Sequence, residues 1–192
     1  FIGNKIKLKE EILPAVIKWM EEKEYPFSFN TQASINLADD EELMALMVKA
    51  GFIAVFIGIE SPNKESLEEC GKFQNINRDL LESIKTIQNH GLQVSGGFII
   101  GFDNDKQTIF ERQIKFIQDS GIVTAMVGIL SVIRGTKLYN RLKKEKRLLR
   151  ESSGDNADCS IDFVPKMKYH NLVDGYKKII QTIYSHQCYY QR

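Results

Sequence analysis

Glu60 closes the run VFIGIE, where a strand-like segment would otherwise stay apolar. A carboxylate there costs free energy unless it is hydrogen-bonded or faces water, so its placement points to ligand contact; the structural alternative is a partner such as Lys64, one turn on. Gly96-Gly97 and Gly101 bracket Phe98-Ile99-Ile100 in one apolar segment. Glycines inside a strand mark a bulge, a tight barrel corner or a close approach of backbone to a ligand. The spacing is not the G-x-G-x-x-G that opens a dinucleotide-binding helix. Asn30, Gln32 and Ser34, then Asp103 and Ser131, are the polar residues near the ends of the remaining segments. His90, His170 and His186 share no spacing that makes a site, and Cys70, Cys159 and Cys188 form neither a CxxC pair nor a zinc pattern. Three single thiols suit a reducing, cytoplasmic setting. The chain has no nucleophile elbow, phosphate loop or HExxH.

The elements that must position these residues follow from a repeated pattern. Gly51, Gly91 and Gly121 each end a helical stretch and lead into a short Val/Ile/Phe-rich run with little alternation, which is how a strand buried on both faces reads. Strands are predicted to start near Phe27, Ile53, Leu92 and Val123. Between them, helices start at an Asp39/Glu42 capping box, at Ser61-Pro62 and at Asn77, and a further stripe runs through Ile109, Phe110, Ile114 and Ile117. Upstream, Lys5–Glu24 reads as a helix broken at Pro14. Consecutive βα units demand parallel strands with right-handed crossovers. The fold class is therefore α/β, either a doubly wound sheet or a TIM-like (β/α) barrel. A complete eight-stranded barrel needs about 250 residues, so only a partial barrel fits. In both architectures ligands bind at the C-terminal ends of the strands, where Gln32, Ser34, Glu60, Gly97, Gly101, Asp103 and Ser131 fall.

The 192 residues carry 26 Lys+Arg against 25 Asp+Glu, with 43% hydrophobic and 27% charged residues, which excludes disorder and a disulfide scaffold. A net charge of +1 argues against polyanion binding as the main task. The basic run Arg134–Arg150 reads as a helix with a solvated face rather than a nucleic-acid surface. No stretch is long and apolar enough for a membrane span, and the charged N-terminus is not a signal peptide. The chain begins at Phe1, on a helix, as a piece of a longer protein would. Residues 1–150 are expected to form the partial barrel core, and 151–192 a linker and a C-terminal helix over Tyr169–Tyr184, the start of an appended extension.

The segments TQASINLADDEEL, KAGFIAVFIGIESPNKESLEE, KFQNINRDL, GGFIIGFDND, IFERQIKFIQDSGI, MVGIL and GTKLY together resemble the radical S-adenosylmethionine (radical SAM) enzymes, in particular the subgroup with an N-terminal cobalamin-binding domain. The resemblance covers nearly the whole chain. It implies a six-stranded partial barrel of which this chain supplies strands three to six. It also implies an iron–sulfur (4Fe–4S) cluster on a CxxxCxxC loop and one-electron cleavage of S-adenosylmethionine to a deoxyadenosyl radical. That radical serves hydrogen abstraction from a small-molecule substrate or methyl transfer, with cobalamin held by an upstream domain. Carried over by position, Gln32 and Ser34 would face the methionine or ribose moiety, Glu60 the ribose or amino group, and Gly97, Ile99 and Gly101 the adenine. Asp103 and Ser131 would lie at the rim. Three departures stand out: the cluster motif is absent, so the chain alone is expected to be inactive; Gln32 stands where the subgroup has a glutamate; and Val132-Ile133-Arg134 replaces an alanine–proline–proline-like turn before GTKLY.

Two other readings compete. A metal-dependent barrel lyase or hydrolase would need several His or carboxylate ligands at strand ends, and only Glu60 and Asp103 qualify. A non-catalytic α/β interaction module needs only an exposed edge. A barrel lacking strands has such an edge, so the isolated chain is expected to self-associate through the strand nearest its N-terminus.

Overall fold

Four parallel strands, β1 (Phe29–Ala33), β2 (Phe52–Glu60), β3 (Gln93–Ile100) and β4 (Ala125–Ile129), form one sheet in the order β1-β2-β3-β4. The computed structural model describes residues 5–152 and 161–192. Because sequence order equals spatial order, right-handed crossovers place every connecting helix on the same side of the sheet. A doubly wound sheet needs a reversal of strand order, and none occurs, so the chain is a partial (β/α) barrel. Alternate residues report the two faces. Val55, Ile57, Ile59, Val94, Phe98 and Ile100 are buried under the helices, whereas Ala54, Phe56, Gly58 and Glu60, with Gly97 and Ile99, lie on the inner face and are only partly covered.

The three glycines adopt the left-handed conformation read from the sequence, with φ of 93°, 91° and 66° at Gly51, Gly91 and Gly121. The helices between strands are α3 (Glu41–Lys49), then α4 (Lys64–Cys70), α5 (Phe73–Ile76) and α6 (Leu80–Asn89), then α7 (Ile109–Ser120). Their starts differ from expectation. The α3 cap is Asp40, which accepts from the Leu43 N–H at 3.1 Å, because Asp39 is drawn to Arg78 at 2.6 Å. Asp79, not Asn77, caps α6, while Asn77 ends α5. α4 begins at Lys64 rather than Ser61-Pro62; Ser61 is fully buried and accepts from the Asn63 N–H in a turn before the helix. Upstream, α1 (Lys5–Lys7) and α2 (Leu13–Glu22) are joined by a π-helical turn, Leu8–Ile12, in which the Leu13 N–H reaches the Leu8 carbonyl. Pro14 offers no N–H to the carbonyl four residues earlier, and the ladder absorbs the loss by widening by one residue instead of ending.

After β4 the predicted long basic helix is only α8 (Lys137–Lys144), capped by Thr136; an isolated antiparallel bridge, Leu148↔Phe163, follows. α9 (Tyr169–Ile183) matches the expected terminal helix and α10 (His186–Gln191) extends it. α9 buries Leu172, Ile179 and Ile183 against α7 and β4. The Tyr184 hydroxyl donates to the Ala125 carbonyl at 2.9 Å and accepts from its N–H at 3.2 Å, which covers the first residue of the β4 border. The described residues contain no helix long and apolar enough to cross a membrane. α9 closes on α7 because the Phe110 ring occupies the place of a Cβ on Gly175, 2.3 Å away. Gly175→Ala is expected to cost about 1–3 kcal/mol in urea unfolding. An unchanged midpoint would show that the ring has room to move.

Candidate functional site at the C-terminal ends of the strands

The chain leaves β2 through an unusual turn. Glu60 has φ 65°, a left-handed value for a residue with a side chain, and the Ser61 N–H closes back on the Ile59 carbonyl at 2.9 Å. This is a γ-turn centred on the glutamate, and it coincides with a register shift between β2 and β3 at Gly58/Glu60. Asn75, 2% exposed, donates its side-chain N–H groups to the carbonyls of Gly58 and Ile59, both at 3.1 Å. The turn folds the Glu60 side chain back over Gly58, so that Oε1 lies 2.6 Å from where a Cβ at Gly58 would stand. Glu60 pairs with Lys72 Nζ at 2.8 Å, not with the nearer-in-sequence Lys64. Gly58 lies opposite Gly97 on β3, and the Phe56 ring covers Gly97.

A groove of about 670 Å³ opens beside β1 and reaches the ends of β1 and β2. Gln32, Ser34, Gly58, Lys72 and Asn75 line it, together with Asn36, whose Oδ1 is buried without a hydrogen-bond partner. Gln32 and Ser34 thus share a groove with the lysine that holds Glu60, and Gly97 adjoins through Gly58. Ile99 continues the same inner face beside Gly128, above which a Cβ would meet nothing within 4 Å. The other candidates lie elsewhere. Gly101 has φ 100° and its missing side chain would meet Leu172 of α9 and Ile129. Ser131 is half-buried beyond β4 and is not among the groove residues.

The Asp103 side chain is covered within a charged cluster that ties the loop after β3 to the C-terminal region. It pairs with Arg147 at 2.6 Å, Arg141 at 3.0 Å and Lys166 at 3.6 Å, while Glu69 of α4 takes Arg141 at 2.6 Å. The Arg147 guanidinium foremost, against the opposing effect of burial, holds the Asp103 carboxyl below the usual range. Next to it, Asp105 accepts from the N–H groups of Gly101 and Phe102 and from Ser66, which itself accepts from Asn63. Burial pushes the Asp105 carboxyl up. This network fixes the loops after β2 and β3 to each other. The residues that the sequence reading missed are therefore Lys72, Asn75 and Asp105. Lys72 caps the short α5 and Asn75 lies within it, between α4 and α6, and no local pattern assigns such residues to a strand end.

Residues 136–192 match a family model described as a domain of unknown function, DUF4070. The whole chain is similar, at 42% identity, to an uncharacterized methyltransferase of Synechocystis sp., of which it covers 36%. It is 29% identical over its full length to the hopanoid C-2 methylase of Rhodopseudomonas palustris, covering 35% of that protein. Over 81% of its length it is 25% identical to the bacteriochlorophyllide d C-12(1)-methyltransferase of Chlorobaculum tepidum, covering 34%. The chain spans about a third of the length of these relatives. Among the described residues, no three His, Cys, Asp or Glu side chains converge on a metal-sized site.

Asp103→Asn is expected to cost about 2 kcal/mol of stability at pH 7, the scale of hydrogen bonds to a charged group. A carboxyl held below its ordinary value of 3.8 contributes fully above that value and loses the contribution as pH falls through the lowered one. Wild type and variant should therefore converge in acid unfolding as the pH falls below 3.8 and through the lowered value. Curves that stay parallel to the lowest pH would assign the cost to packing.

Proposed function

We propose that this chain is part of the S-adenosylmethionine-binding (β/α) barrel of a radical SAM methyltransferase acting on a small molecule, and that it supplies strands three to six. Support comes from relatives named as methyltransferases along the whole chain, and from the sequence segments that resemble radical SAM enzymes. The observation that carries the reading is the Glu60 carboxylate folded back over Gly58 at the C-terminal ends of parallel strands.

The donor set fits the cofactor. The side-chain-free inner-face position at Gly128 admits a flat ring, Glu60 accepts from hydroxyl or ammonium groups, Lys72 suits a carboxylate, and the unpartnered Asn36 Oδ1 calls for a donor. In this reading Gln32 and Ser34 flank the same ligand, Ile99 lies beneath its ring, and Gly101, Asp103 and Ser131 hold the surrounding loops. S-adenosylmethionine supplies the methyl group and the radical chemistry; the barrel's own residues bind, orient and exclude water.

The cluster does not fit these residues. Cys70 and Cys188 are separate free thiols, Cys159 lies outside the described residues, and the reading assigns cluster ligands and any cobalamin site to the rest of the longer protein. The alternative of a divalent metal at Glu60 meets an ammonium 2.8 Å away that competes with a cation. We place the end of the barrel core near residue 150, with 151–192 as the start of an extension, in a cytoplasmic enzyme.

In the full-length protein with its cluster in place, Glu60→Gln is expected to weaken S-adenosylmethionine binding about tenfold in equilibrium dialysis, the worth of one charge-assisted hydrogen bond. Wild-type protein that binds no S-adenosylmethionine and forms no 5′-deoxyadenosine under reductant would end the reading. The isolated chain, with β1 at the border of its sheet, is expected to self-associate. A monomer by light scattering at high concentration would contradict that.

A further inference from the structure

We propose that Asn75 is the positioning residue that keeps Glu60 aimed across the inner face of the sheet. The inference rests on Glu60 being a ligand contact, and it adds what holds that contact in place. A residue with a side chain does not favour φ near 65°, so the γ-turn must be imposed by its surroundings. In a regular strand, positions 58 and 60 lie about 6.6 Å apart along the chain, and a carboxylate at 60 would project forward from the sheet. The observed turn brings Oε1 back over Gly58 instead.

Three contacts are available to impose it. The Ser61–Ile59 backbone bond closes the turn but is part of it. The Lys72 pair is partly open to water, with the lysine side chain 34% exposed, and such pairs contribute little. Asn75 differs from both. It is buried, it comes from outside the turn, and one amide nitrogen serves two successive carbonyls where β2 slips its register against β3. At a bulge the ladder is locally disrupted, and a buried carbonyl still needs a donor. Asn75 supplies that donor from α5, at the far end of the connection that also carries Lys72. The glycine at 58 is the complementary requirement, because any side chain there would occupy the space of the carboxylate.

The test is a double-mutant cycle on the full-length protein with its cluster in place, read as S-adenosylmethionine affinity by equilibrium dialysis, with thermal melting as the check on folding. Asn75→Ala should weaken binding about tenfold, as Glu60→Gln does, and the double variant should bind no more weakly than either single one. Asn75→Asp keeps the shape but has no N–H to give, and should behave as Asn75→Ala. If the Asn75 variants do not fold, Gly58→Ala moves the carboxylate without touching Asn75; it should weaken binding in the wild type and not further in Glu60→Gln. Folded Asn75 variants that bind as wild type, or losses that add in the cycle, overturn the positioning role while Glu60 keeps its place in the site. Glu60→Gln binding as tightly as wild type overturns both.

Discussion

The direction in which Glu60 points depends on one left-handed residue. A strand presents side chains outward at fixed intervals, and a parallel sheet alone would give this protein a row of such groups with nothing drawn together. The reversal of backbone sign at residue 60 folds a carboxylate inward over Gly58, where it meets the Lys72 ammonium. Everything else near the groove is arranged so that this can happen: Gly58 leaves the space, Lys72 neutralises the charge, and Asn75 stands in for the interrupted ladder. Non-glycine residues in sparsely populated backbone regions cluster at functional sites because the surroundings must over-determine them.

Strand direction explains why a sheet this small can carry a site. With spatial order equal to sequence order, every strand delivers its last residues to the same side, and every helix covers the same face. The inner face carries Ala54, Gly58, Gly97 and Gly128 between the larger Phe56 and Ile99. The polar network of Asn63, Ser66 and Asp105 fastens the loops that follow β2 and β3, which prevents the two strand ends from sliding past one another.

Much of this was legible in the sequence, for reasons that can be named. Three helix-ending glycines, each before an apolar run, located β2, β3 and β4 to within two residues, because only a left-handed residue ends a helix so abruptly. Helix starts were read less well. Several Asp, Asn and Ser residues compete for each cap, and the winner depends on partners such as Arg78 that are distant in sequence. Glu60 was visible as a polar residue out of place, but its partner was not: Lys72 reaches it only after α4 has turned the chain around. Asp103 was read as a rim residue, and the ion cluster it centres was not legible, since the arginines that claim it lie about forty residues downstream.

The Tyr184 hydroxyl on Ala125 gives the sheet a polarity that its strand count does not suggest. At the β4 flank a phenol satisfies the donor and the acceptor that a neighbouring backbone would otherwise seek, so recruitment of another chain is discouraged there. The β1 flank carries the groove instead. Lateral growth of this fold, whether by a neighbouring segment or by misassembly during folding, is thereby steered to the flank beside the groove, so a chain added there would cover the groove's mouth.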